Sequence, residues 1–147
     1  MDIRAARIAA GMTQSDLART AHVSQPNLSA YENGRRVPSA DVLNRITRAL
    51  RVRPSERLRH NREKIRSIVA EYKATDPRVF GSVARGDDQP GSDLDLIVNF
   101  TDDATLLDEV GLRLALTDLL GVEVDIIAAD TLLGSFRERA EIEAVPV

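Results

Sequence analysis

The sequence contains no cysteine and no tryptophan, and aromatic residues make up only 3% of its 147 positions. The lack of cysteine excludes a disulfide scaffold, a thiolate metal site and a cysteine nucleophile, and it fits a reducing compartment. With only two histidines, His22 and His60, an imidazole-rich zinc site is not expected. No apolar run approaches the roughly 18 residues of a membrane span. The segment from Met1 to Arg7 is charged and amphipathic, without the apolar block of a signal peptide. A cytoplasmic protein with no membrane partner is expected, with a core built from Leu, Ile, Val and Ala.

Charge is abundant and unevenly placed. Residues 1–60 carry eleven Arg and five Asp/Glu, a net of +6, whereas residues 61–147 carry nine Lys/Arg and eighteen Asp/Glu, a net of −9. A basic module seeks polyanions, and an acidic one avoids them or holds cations. The predicted architecture is two domains: an all-α helical bundle over residues 1–59, then a small α/β domain over residues 60–147.

The first sixty residues show helical patterning only. Thr13 is a good N-cap with Asp16 in the first turn; Ser24 caps the next helix, with Pro26 where its missing N–H is harmless. Asn33-Gly34 ends that helix, and Val42, Leu43, Ile46, Ala49 and Leu50 are spaced as a further amphipathic one. Between Thr13 and Gly34 two short helices flank a tight turn at His22-Val23, with Leu17, Ala18, Val23 and Leu28 where crossing helices touch. The outward side of the second carries Gln25, Asn27, Ser29 and then Asn33, amides and hydroxyls able to read base edges. Gln14 and Ser24 lie near helix N-termini, where phosphates bind, and Arg35 and Arg36 can neutralise a DNA backbone. This stretch resembles the helix-turn-helix of the Xre/Cro phage-repressor family, in register from Gln14 through Glu32-Asn33-Gly34. The resemblance implies that Gln25, Asn27 and Ser29 enter the major groove. His22 departs from the family, which often has glycine at this left-handed position; a side chain there costs about 1 kcal/mol.

The second half alternates helix and strand. Val79-Phe80 runs into Gly81-Ser82, Asp76-Pro77 reads as a helix stop, and Leu94–Phe100 is a strong strand. A helix is predicted over Leu106–Leu120 with Leu107, Val110, Leu114 and Leu116 inward, then a strand at Val122–Ile127 and a last helix over Ser135–Glu143. Ten residues separate Ser82 from Asp93-Leu94-Asp95. Asp93 and Asp95, two apart on a strand, point to one side; Asp125 alternates with buried Val124 and Ile126. If the strands are neighbours, the three carboxylates face one cation cluster, most naturally Mg²⁺. Gly81-Ser82 at a helix start offers backbone N–H groups to a phosphate, and Arg85 is placed to contact a triphosphate. Three carboxylates beside such a loop can hold two metals on ATP and support in-line attack at phosphorus, with Asp125 helping to deprotonate the acceptor.

This pattern resembles the nucleotidyltransferase fold of the DNA polymerase beta superfamily. Gly81-Ser82-Val83-Ala84-Arg85-Gly86 and Ser92-Asp93-Leu94-Asp95-Leu96-Ile97-Val98 resemble its minimal branch. About twenty residues follow Asp125, too few for an acceptor-gripping domain, so the acceptor is expected to arrive on a partner. The resemblance implies an antitoxin that transfers AMP to a tyrosine of a HEPN-family toxin and represses its own operon, as a homodimer or in a complex with the toxin. Three alternatives stay open: a regulator with a nucleotide-sensing or inactive second domain, a nucleotidyltransferase toxin, and a small-molecule nucleotidyltransferase.

Overall fold

Three hydroxyls set the helical half in place. The computed structural model describes residues 1–147, and in it Thr13, Ser24 and Ser39 each accept a hydrogen bond from a backbone N–H three residues on. They open α2 (Gln14–Ala21), α3 (Gln25–Glu32) and α4 (Ala40–Ala49); α1 (Ile3–Ala9) is capped by Asp2. Asp16 returns a bond to the Thr13 N–H, completing a reciprocal cap. Leu17, Leu28 and Ile46 are fully buried between these helices with Ile3, Met12, Ala18, Ala21 and Ala49. Small Ala18 and Ala21 let α2 sit close to its neighbours. Glu32 closes the bundle through a buried ion pair with Arg7 at 2.9 Å.

His22 ends α2 at φ 55°, in the left-handed region. Since glycine reaches this conformation freely, His22→Gly is expected to raise stability by about 0.5–1 kcal/mol. Thermal melting of the two proteins measures it.

Residues 54–147 form α5 (Pro54–His60), α6 (Arg62–Glu71), β1 (Ala74–Phe80), α7 (Ser82–Arg85), β2 (Leu94–Phe100), α8 (Leu106–Leu120), β3 (Val124–Ala128), α9 (Gly134–Glu143) and β4 (Val145–Pro146). The sheet order is β3-β2-β1-β4, with β2 and β3 parallel and the other pairs antiparallel. Leu94, Leu96 and Val98 face α6 and α8 in the larger core, which also includes Leu58 of α5. Ile97 faces the other way, toward Leu132 and α9. No helix is long and apolar enough to cross a membrane.

Two local expectations differ from the structure, and one strand was not expected at all. Asp76-Pro77 does not stop a helix; it lies inside β1, where the register with β2 shifts between Thr75 and Arg78. Asp76 takes a positive φ of 54° there, and proline, lacking an N–H, fits such an interruption in the ladder. On α8 the inward residues are Leu112, Leu116, Thr117 and Leu120, while Leu107 and Leu114 are 82% and 56% exposed. The helix has leucines on more than one side, so composition did not distinguish the core face. Strand β4 is too short to leave a sequence pattern.

The two halves are joined by close packing. A Cβ on Gly91 would lie 2.4 Å from the Gly11 carbonyl oxygen, so the loop before β2 fits against α1 only without a side chain. The Thr20 hydroxyl donates to the Gly121 carbonyl at the end of α8. Arg53 donates to the Gly86 carbonyl, the Asp88 carbonyl and the Asp88 carboxylate, each at 2.7 Å.

Candidate active site

Strand pairing brings the acidic residues together. In the parallel pair β2/β3, Asp95 lies directly opposite Asp125. Alternation turns both away from the core side that holds Leu94, Leu96 and Val124. The two carboxyl groups lie close enough to act on one another, and the Asp95 carboxyl is raised in consequence. Asp93 stands at the entrance to β2, exposed on one side and crowded on the other.

Electrostatics join the three. Burial first, then the charges of Asp125 and Asp93, hold the Asp95 carboxyl above the ordinary carboxylate value. Partial desolvation, followed by the charges of Asp125, Asp16 and Glu123, does the same for Asp93. Like charges held close disfavour ionisation, which is the signature of a place lacking positive charge.

Gly81 connects β1 to the single turn of α7. It takes φ 79° and ψ −147°, and a Cβ there would lie 2.8 Å from Asp95 Oδ2. Glycine is therefore required twice, for backbone shape and for contact with the carboxylate. Ser82 follows at the first position of α7. Phe80 lies opposite Asp95 in the β1/β2 ladder and meets Phe136 edge-on at 5.4 Å, walling one side. Arg85 is exposed at the end of α7, its Nε 3.4 Å from Asp87 Oδ2.

As they stand, no three acidic or imidazole side chains are gathered tightly enough to form a ready metal cage. The donor set nevertheless fits a hard divalent cation. All donors are carboxylates, and their mutual repulsion is what a cation would remove. Asp93, Asp95 and Asp125 are the residues that would hold Mg²⁺.

Two neighbours were not legible in the sequence. Asp16 of α2 acts on Asp93 from across the joint, Glu123 acts on it from the residue before β3, and Arg19 lies 3.5 Å from Glu123. Asp16 reads in sequence as a cap, which it is; its second role appears only when the halves pack.

Several of the residues singled out for DNA are linked in pairs by hydrogen bonds. Gln25 Nε2 donates to Gln14 Oε1 at 2.9 Å, Arg36 Nη1 to Asn27 Oδ1 at 2.8 Å, and Asn33 Nδ2 to Ser29 Oγ at 3.4 Å. Ser24 caps α3, and Arg35 is exposed beside Arg36. Asp16, Arg19 and Thr20 face the opposite half from a different side of α2.

A helical unit ahead of a small mixed sheet, with paired strand carboxylates behind a glycine-serine turn, defines a nucleotidyltransferase carrying a helix-turn-helix. The chain belongs to the nucleotidyltransferase domain family, which it matches over residues 62–147, and residues 3–57 match the helix-turn-helix family. It is 34% identical over 86 residues to a protein of Methanocaldococcus jannaschii whose given name proposes a protein adenylyltransferase, spanning 58% of this chain and 92% of the relative. It is 50% identical over 50 residues to an uncharacterised helix-turn-helix-type transcriptional regulator of Mycobacterium tuberculosis, spanning 34% and 36% of the two chains. Among solved structures, one described as a proposed minimal nucleotidyltransferase superposes with a TM-score of 0.59 at 48% identity, covering 63% of this chain and 95% of its own. A toxin–antitoxin complex with AMP-PNP shares the fold at a TM-score of 0.52 and 20% identity, covering 58% and 71%.

Proposed function

We propose that the protein is an antitoxin that transfers AMP from ATP to a tyrosine of a HEPN-family toxin and represses its own operon. The observation that carries the transfer is Asp95 facing Asp125 in register, with Gly81 packed against Asp95. Support for the acceptor comes from the relative whose name proposes protein adenylylation and from the toxin–antitoxin neighbour. On α8, Leu106, Leu107 and Leu114 are 73%, 82% and 56% exposed, an apolar face suited to a protein partner.

In this reading Gly81, Ser82 and Arg85 receive the triphosphate, and Asp93, Asp95 and Asp125 hold two magnesium ions. Bound magnesium supplies neutralisation of the phosphate charge. The acceptor tyrosine oxygen forms a bond to the α-phosphorus, the bond to the β-phosphate bridging oxygen breaks, and pyrophosphate departs. Asp125 takes the phenolic proton. Phe80 and Phe136 exclude water from one side of the reacting centre.

The test is incubation of the full chain with labelled ATP, Mg²⁺ and the protein product of the adjacent reading frame. Label on a tyrosine of that protein is expected. ATP binding without transfer would instead support a nucleotide-sensing regulator.

For DNA, residues Gln14, Ser24, Gln25, Asn27, Ser29, Asn33, Arg35 and Arg36 form the proposed contact face. Gln25→Ala is expected to relax discrimination at one operator position by about 1–3 kcal/mol, read from binding to single-base operator variants. Arg35→Ala is expected to weaken all sequences alike and to reduce the salt slope by about 1.

A further inference from the structure

Away from both sites, a cavity of about 210 Å³ opens where the end of α2, the outer side of α4 and α5 converge. Arg45, Arg48 and Arg57 line it with His22 and Thr20, and no acidic side chain does. Arg57 is half-buried, and its Nε is fully buried without an acceptor. Burial alone acts on its guanidinium, with no opposing charge to offset it. Arg45 gives Nη1 to the His22 carbonyl at 2.8 Å, yet its Nε is also buried without an acceptor. Asp41 Oδ2 lies 3.5 Å from that Nε in an i,i+4 ion pair, but its side chain is 85% exposed and does not line the cavity.

A guanidinium does not discharge near neutral pH, so three of them lining one cavity with no acidic side chain call for an anion from outside the chain. Guanidinium groups from two helices on one cavity wall suit the oxygens of a phosphoryl group. We propose that this cavity is a binding site for a small phosphoryl anion of the phosphate or pyrophosphate class. Its position gives the ligand a structural consequence. Arg45 and Arg48 belong to α4, whereas Arg57 belongs to α5, whose preceding residue Arg53 grips the loop leading to Asp93. Thr20 on the cavity wall also bonds Gly121 in the second half. A bound anion therefore ties the helical half to the nucleotidyltransferase half. The site stands independently of the antitoxin reading.

The test titrates sodium pyrophosphate, and separately inorganic phosphate, into the full chain in chloride buffer with EDTA, followed by calorimetry and thermal melting. Wild type is expected to bind and melt higher. Arg57→Gln and, independently, exposed Arg48→Ser are expected to bind at least about tenfold more weakly. In chloride alone Arg57→Gln is expected to melt no lower than wild type, since the group it removes has no partner; if it fails to fold, Arg48→Ser carries the measurement. Equal affinity in wild type and both variants would overturn the proposal. So would loss of pyrophosphate binding in Arg85→Gln but not in these variants, which would move the anion to the Ser82 loop. An effect of Arg57→Gln confined to random duplex DNA would likewise overturn it, assigning the arginines to the nucleic-acid interface.

Discussion

Asp95→Asn is expected to abolish transfer of label from ATP while leaving a folded, DNA-binding protein. The loss should be at least about 10²–10³-fold, the scale of removing one group that stabilises transition-state charge. The substitution keeps the size of the side chain and its contact with Gly81, so the glycine-serine turn has no reason to move. Stability should respond in the opposite sense. The Asp95 carboxyl lies above its ordinary value in the folded state, so the folded protein binds that proton more tightly than the unfolded chain does. Its ionised form therefore disfavours folding, increasingly as pH rises from the unfolded value through the raised folded one. Near pH 7–8 without divalent cations, Asp95→Asn should melt at or above wild type. With Mg²⁺ and ATP present, wild type should gain stability and the variant should not. A variant that keeps full transfer would place the reaction outside the β2/β3 carboxylates.

The candidate site could be read from sequence because its geometry is local to strands. Once Leu94–Phe100 and Val124–Ile127 are strands with apolar residues on alternate positions, Asp95 and Asp125 must point away from the core. Only their adjacency was missing, and the parallel pairing of β2 with β3 supplies it. The helix starts at Thr13 and Ser24 were legible for the same reason, since a cap acts within four residues. The inward side of α8 was not, because Leu106, Leu107, Leu112, Leu114, Leu116 and Leu120 surround the helix and only packing selects among them. Least legible was the joint. Gly91 looks like one more loop glycine, Arg53 like one more arginine of a basic segment, and Asp88 like solvating charge. Their roles depend on contacts between residues 33 positions apart and more.

That joint gives the other large expected effect. Asp88 is 0% exposed and accepts from the Ser55 N–H at 2.8 Å as well as from Arg53. Burial opposes its charge, but the Ser55 and Arg53 bonds and the Arg53 charge outweigh it and hold the carboxyl below its ordinary value. Arg53→Leu removes three donated bonds and leaves a buried carboxylate with one backbone partner. Breaking such a pair from one side costs about 3–5 kcal/mol when both ions are buried; Arg53 is partly exposed, so about 3 kcal/mol is expected. At this chain length that lowers the melting temperature by roughly 6–12 °C. The pH dependence has a definite sign. A carboxyl lowered in the folded state contributes stability above its unfolded value, near about pH 4, and loses it as pH falls through the folded value. Urea unfolding of wild type and Arg53→Leu should therefore differ most at neutral pH and converge below about pH 4. The same residue holds Gly86 and Asp88, between α7 and Asp93, so the helical half anchors the loop that joins the phosphate turn to the first carboxylate. Arg53→Leu should thus also lower transfer, with Ser82, Arg85 and all three carboxylates intact. If stability falls as expected but transfer per folded molecule does not, the joint is a structural seam and the two halves work independently.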